Sequence, residues 1–252
     1  MFERLFTSKA DDYDKGRPGY PKELLTILRK YGLSKQSTVA DIGAGTGLFT
    51  RLIAPHAKKI IAVEPNADML SKLNERRPKN ASLVQAPAEA TTIKIKTVDF
   101  ITVAQAFHWF HMPSAKKEFA KILKDDGRVA IIYNNECVDT NQEKAFQKLR
   151  LAFKNNKLYR ARFSSRKRVR SLVNPDAFYL RGEYETHNFI NPVKYNQSAM
   201  VSRVASMSAM PKRGDKEFPK LQQMIGDMFR KVGKDGVITI NVRTTMFVGK
   251  VK

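Results

Sequence analysis

The sequence predicts an α/β protein with a doubly wound, mostly parallel sheet and helices on both faces. Three observations carry that expectation. Strand-length apolar runs alternate with amphipathic ones at the spacing of βα units. Those runs are short and mainly apolar, and Val98–Ala104 among them is rich in β-branched residues. The first of them, Thr38–Ile42, feeds directly into a glycine-packed turn and then a helix. A chain of 252 residues with 42% hydrophobic and 10% aromatic content can bury a full core, so disorder is excluded.

The elements follow in order. Residues 21–31 read as a short amphipathic helix, with Pro21 suited to its first turn, Leu24, Leu25, Ile27 and Leu28 on its apolar face, and Gly32 ending it. After the strand Thr38–Ile42 and its turn, residues 48–54 are helical until Pro55. Lys59–Val63 is a second strand, closed by Glu64 and Pro65, and Asn66 caps a helix carrying Met69, Leu70 and Leu73. Residues 82–86 form a third strand, Val98–Ala104 a fourth, 113–124 a helix and 127–133 a fifth strand. Beyond residue 134 the expected elements are a basic helix over 139–157, a strand over 183–190, helices over 197–207 and 215–232, and a closing strand over 237–251. The organisation expected is a single domain. An N-terminal segment and helix (1–35) lie over the mouth of a core (36–134), a basic, mainly helical cap with one core strand follows (135–235), and the strand 236–252 returns to the core.

In open parallel sheets ligands bind beyond the carboxyl ends of the strands. That rule selects residues 41–47, Glu64 and Pro65, 86–89 and 105–109 as neighbours on one rim. The turn Asp41-Ile42-Gly43-Ala44-Gly45-Thr46-Gly47 narrows the ligand. A dinucleotide fingerprint needs a third glycine where Leu48 stands, and a P-loop needs a lysine that is absent. Asp41 would repel a pyrophosphate but suits a cationic ligand. Its charge points to the sulfonium of S-adenosylmethionine.

This turn resembles motif I of the class I S-adenosylmethionine-dependent methyltransferases, and Glu64, 17 residues after Gly47, resembles its acidic partner. The resemblance implies a Rossmann-like, seven-stranded sheet with an antiparallel C-terminal strand. It implies that Asp41, Gly43, Ala44 and Gly45 hold the methionine moiety and that Glu64 accepts hydrogen bonds from both ribose hydroxyls. Ala88 and Glu89 would flank the adenine, with Met69 in apolar contact; Tyr13, Arg17, Pro65, Gln105 and Ala106 complete the expected cofactor set. A narrower resemblance, to the small-molecule branch that includes trans-aconitate methyltransferase-like proteins, rests on residues 10–21 (Ala10 to Pro21), 105–110 (Gln105 to Phe110) and 206–211 (Ser206 to Pro211). It implies an acceptor side built from Tyr20, Phe107, His108, Trp109, Ser206 and Ser208. Relatives of this kind often carry an arginine and a tyrosine where this chain has Met207 and Ala209, which points to a different acceptor.

Arg17, between Tyr13 and Tyr20, offers a guanidinium fork to the methionine carboxylate or to an acidic acceptor. Three roles are open to His108: a general base, a wall of the site, or a packed and hydrogen-bonded ring. A carboxylate acceptor needs no base, being ionised already near neutral pH. No metal site is expected, because His108 and His111 lack further ligands and Cys137 is the single cysteine. The turn after the fourth strand carries neither the Pro-Cys pair of cytosine C5 methylation nor the Asn/Asp-Pro-Pro-aromatic turn of DNA amino-methylation.

The chain has 46 basic and 24 acidic residues, a net charge of +22. Residues 144–175 hold eleven basic side chains and no acidic one. Such charge attracts anions, either an acidic small molecule or nucleic acid. The expected activity is therefore methyl transfer to a small, anionic acceptor, with RNA modification through 144–175 as the alternative. No apolar run is long enough to span a bilayer, and the first residues do not read as a signal peptide, so a cytoplasmic location is expected.

Overall fold

The computed structural model describes residues 9–153, 175–207 and 210–251. Seven strands form one sheet in the order β3-β2-β1-β4-β5-β7-β6. They are β1 (Thr38–Ile42), β2 (Lys59–Val63), β3 (Ala81–Val84), β4 (Val98–Ala104), β5 (Leu123–Glu136), β6 (Tyr179–Tyr195) and β7 (Ile238–Val251). Pairs among β1 to β5 are parallel, whereas β7 runs antiparallel to both β5 and β6. The expected mostly parallel sheet with an antiparallel C-terminal strand is thus the observed one. The order reverses between β1 and β4, and that switch point opens a crevice at the strands' carboxyl ends.

Register aligns those ends. Ile42 pairs with Val63, Val63 with Val84, Asp41 with Thr102, and Ala104 with Ile132, so four loops emerge side by side. The strands alternate their side chains between two cores. Ala40, Ile42, Ile101, Val103, Val129 and Ile131 pack on one face with Phe119 and Phe178. Val39, Ile60, Phe100, Ala130 and Ile132 pack on the other, against Leu24, Leu28, Phe49 and Ile53.

The helices are α1 (Ala10–Gly16), α2 (Leu24–Lys30), α3 (Leu48–Ile53), α4 (Ala67–Glu75), α5 (Met112–Ile122), α6 (Asn141–Ala152), the single turn α7 (Pro175–Phe178), α8 (Gln197–Ala205) and α9 (Phe218–Val232). A third apolar cluster joins α6, α8 and α9 to the far ends of β6 and β7 through Phe146, Met200, Val204, Leu221, Ile225, Ile238 and Ile240. Among the described residues, no helix is long and apolar enough to cross a membrane.

Several boundaries differ from expectation. Residues 21–23 form a turn rather than helix, and α2 begins at Leu24. β3 stops at Val84, ahead of Ala86 and Pro87. β5 continues past Tyr133 because its antiparallel pairing with β7 runs out to Glu136 opposite Val242. β6 is far longer than residues 183–190; it is the edge strand, where Pro192 leaves no ladder bond unmade. Most of the basic stretch, 154–174, and Ser208 lie outside the described residues.

Candidate active site

The glycine turn leaves β1 with Gly43, Gly45 and Gly47 at φ of +71°, +57° and +82°. These are left-handed conformations that side chains with a Cβ adopt only at a cost. The amides of Gly43 and Ala44 both donate to the Val63 carbonyl, at 2.8 and 3.0 Å, which pins the turn against the end of β2. Glu64, the next residue, fixes its neighbours with both carboxylate oxygens. One accepts from the Gly45 amide and the other from the Asn66 amide, each at 2.9 Å. The Asn66 side chain accepts from the Met69 amide at 2.9 Å, starting α4 and burying Met69 beneath the rim.

Asp41 sits under the turn, 1% exposed. Its two oxygens accept from the hydroxyls of Thr50 (2.5 Å) and Thr102 (2.9 Å). Burial pushes its pKa up to about 6 although both hydroxyls act in the opposite direction. Asp41 is thus a buried anion held by α3 and β4, behind the turn rather than on its surface.

What a methyl group would meet at each glycine separates their roles. At Gly43 a Cβ would lie 2.3 Å from the Ala106 Cβ, so the loop after β4 packs hard on the turn there. At Gly45 nothing lies within 4 Å. The turn is therefore closed on one side and open on the other, where the Gly45 backbone and Glu64 stand together. That open side leaves the Gly45 backbone accessible to a ligand.

The other loops supply the remaining rim. Ala88 is buried in the core, and Glu89 accepts from the His111 amide at 2.6 Å. Pro65 lends its carbonyl to Gln85 at 3.4 Å. Gln105 closes β4 at φ +60°, a strained conformation for a non-glycine residue, and its side chain donates to the Asn134 carbonyl at 2.8 Å. Phe107 is buried against Phe178, with ring centroids 4.8 Å apart. His108 is half-buried, its ring 4.8 Å from Trp109 and 6.0 Å from Tyr133. Tyr20 packs edge-on to Phe49 at 5.0 Å.

Beside the turn lies a cleft lined by Tyr13, Arg17, Pro18, Tyr20, Leu48, Gln105, Asn134, Glu136, Arg203 and Val242. Four of the expected residues meet here: Tyr13, Arg17, Tyr20 and Gln105. The Arg17 guanidinium lies 4.7 Å from the Tyr13 ring centroid and donates to the Ser206 carbonyl at 3.0 Å. Ser206 contributes that carbonyl and not its hydroxyl, which is buried on the Arg203 carbonyl.

Asn134, Glu136 and Arg203 were not anticipated. Glu136 pairs with Arg150 at 2.9 Å and with Arg203, and although its burial acts to raise its pKa, these arginines bring it down to about 2. A signal for Arg203 was present in the sequence. It falls on the same helical stripe as Met200, Val204 and Met207, where periodicity reserves the position for an apolar side chain.

The comparisons with known proteins agree with this geometry. Residues 40–131, from within β1 into β5, match the family described as "Methyltransferase domain". An uncharacterized methyltransferase of Schizosaccharomyces pombe is 35% identical over 136 residues, 53% of this chain and 54% of that protein. CRG1 of Saccharomyces cerevisiae, assigned as an S-adenosylmethionine-dependent methyltransferase, is 33% identical over 124 residues, 47% of this chain and 43% of its own. The chain thus spans about half the length of the curated relatives it matches. Among solved structures, one from Anaeromyxobacter dehalogenans, provisionally assigned as a type II methyltransferase, superposes with a TM-score of 0.67 at 19% identity, covering 93% of this chain and 97% of that one. The Haemonchus contortus phosphoethanolamine N-methyltransferase 2, solved with phosphomonomethylethanolamine and S-adenosylhomocysteine, superposes with a TM-score of 0.57 at 13% identity, over 100% of this chain and 59% of that one. At these identities the superpositions speak for the fold. The chain is an α/β protein whose residues 40–131 match a methyltransferase domain family, on a fold shared with solved methyltransferase structures.

Proposed function

We propose that the chain transfers a methyl group from S-adenosylmethionine to a small acidic molecule. The observation that carries this reading is the one-sided turn at Gly45, with Glu64 behind it and a basic cleft beside it. Gly43 to Gly45 and Asp41 would serve the methionine end of the donor, Glu64 the ribose, and Met69, Ala88 and Glu89 the adenine. The bound donor supplies a sulfonium methyl already activated for displacement.

The chain's own contribution is alignment and exclusion of water. Asp41 sets a buried negative charge beneath the cationic end of the donor. Strained Gln105 holds the loop after β4 against β5, and that loop presents His108 and Trp109 at the rim. α1 covers the mouth from the other side. Its Asp14 reaches Arg51 of α3 at 2.8 Å and Arg76, next to α4, at 3.0 Å, while Asp12 pairs with Arg213 at 2.8 Å. A lid tied to both halves shields the cleft without any covalent link. For an ionised acceptor no base is required, and His108 is then a wall of the site.

An acceptor screen that follows S-adenosylhomocysteine release tests the proposal, with small organic acids, phenols, amines and RNA side by side. Turnover confined to acids supports it. Turnover confined to RNA overturns it in favour of docking through 144–175, and turnover confined to phenols or amines would return His108 to the role of base.

A further inference from the structure

We propose that Arg17 and Arg203 form a two-guanidinium clamp for a carboxylate of the methyl acceptor. The inference rests on the methyltransferase reading above and names the group that its acceptor must carry.

Three observations converge. First, Arg203 is 4% exposed, yet its Nη1 has no hydrogen-bond partner; the buried Nε of Arg17 has none either. A buried guanidinium N–H left unpaired is costly, and sites built to bind an anion are where that cost is met by a ligand. Second, both arginines line the same cleft, and the fold forces them together. Gly16 packs so tightly on α8 that a Cβ there would lie 2.2 Å from the Arg203 amide nitrogen, which brings the next residue, Arg17, alongside Arg203. Lys9 holds the end of the same helix, donating to the carbonyls of Ala205 and Met207 at 2.9 and 2.6 Å.

Third, the charges do not cancel. Arg17, Arg150 and Arg203 surround a single carboxylate, Glu136. Burial, and then the neighbouring positive charge of Arg203, lower the pKa of Arg17 to about 10, as expected of a cation short of counter-charge. Glu136 is taken up by Arg150 and by another nitrogen of Arg203, so it acts as a positioning residue that holds Arg203 in place. One free N–H from each of two arginines matches the two oxygens of a carboxylate. Glu136 nearby disfavours a doubly charged phosphate. A carboxylate gripped in this way has its charge neutralised and its lone pairs engaged, and so serves as the acceptor's handle.

The test is calorimetric titration of the protein saturated with S-adenosylhomocysteine, using glutarate, benzoate, their amides and inorganic phosphate as probes. The expected result is that at least one acid binds at least tenfold more tightly than its amide and than phosphate. Arg17→Lys and Arg203→Lys should each weaken that acid by roughly ten- to hundredfold, and Arg203→Lys should change the affinity for S-adenosylhomocysteine less than threefold. Acids that bind no better than their amides overturn the clamp, as does tighter binding of phosphate. So does an Arg17→Lys or Arg203→Lys protein that loses S-adenosylhomocysteine instead of the acid, because that arginine would then serve the donor. The acid-against-amide comparison needs only the wild-type protein, so it decides the matter even if a variant fails to fold. Absence of S-adenosylhomocysteine binding by the wild type is a separate outcome, and it contradicts the methyltransferase reading itself.

Discussion

Asp41 and Glu64 are two carboxylates in contact with one turn or its flanks, and the structure uses them in opposite ways. Glu64 spends its charge on backbone N–H groups at the rim, whereas Asp41 is buried beneath it between two threonine hydroxyls. An acid with a higher pKa in the folded than in the unfolded state weakens the fold once it ionises. For Asp41 that penalty is absent at the low-pH end, grows as pH rises from about 4 to about 6, and is complete above it. Its size is on the order of 3 kcal/mol at neutral pH. Asp41→Asn should therefore stabilise the ligand-free protein above pH 6 by ~1–3 kcal/mol, seen as a raised denaturation midpoint that converges with the wild type near pH 4. The same change should weaken the cationic S-adenosylmethionine more than the uncharged S-adenosylhomocysteine. An unchanged ratio of the two affinities would remove Asp41 from any electrostatic role. The positions of both acids were legible in the sequence. The two threonines were not, because Thr102 lies 61 residues from Asp41 and meets it only through the β1–β4 pairing.

Elements whose local pattern was strong appear as read: β1, β2 and β4 have the expected bounds, and Asn66 caps α4. α1 was not legible as a helix. Its sequence is nearly all polar, and what fastens it is distant: Lys72 for Asp11, Arg213 for Asp12, and Arg51 and Arg76 for Asp14. Such partners leave no local trace. The glycine turn shows a further limit, since sequence alone treats its glycines alike. Gly43→Ala should cost several kcal/mol of stability, because it adds a steric clash with Ala106 to a strained φ. Gly45→Ala meets no protein atom and should cost only ~1–2 kcal/mol, yet its methyl would occupy the open side of the turn and abolish cofactor binding. Chemical denaturation and S-adenosylhomocysteine titration of the two proteins, run in parallel, separate these outcomes. Equal destabilisation, or a Gly45→Ala protein that binds normally, would show that the ligand does not approach the turn from that side.

Across the whole molecule, the sheet's switch point sets the turn, Glu64 and the loop after β4 side by side. The long β6–β7 ribbon carries the third apolar cluster beyond the sheet, and α8, a part of that cluster, brings Arg203 back to the same crevice. The half proposed for the donor was readable because one short loop and one strand end define it. The acceptor half was not, because it assembles from α1, β5 and α8 across the length of the chain. The central claim concerns the donor half, and calorimetric titration of S-adenosylmethionine into the wild-type and Glu64→Ala proteins tests it most directly. The account predicts saturable one-to-one binding by the wild type. It also predicts a loss of ~1.5–3 kcal/mol in a Glu64→Ala protein that still folds, roughly ten- to hundredfold in affinity. A wild-type protein that binds no donor, or a folded variant that binds it equally well, would contradict the account.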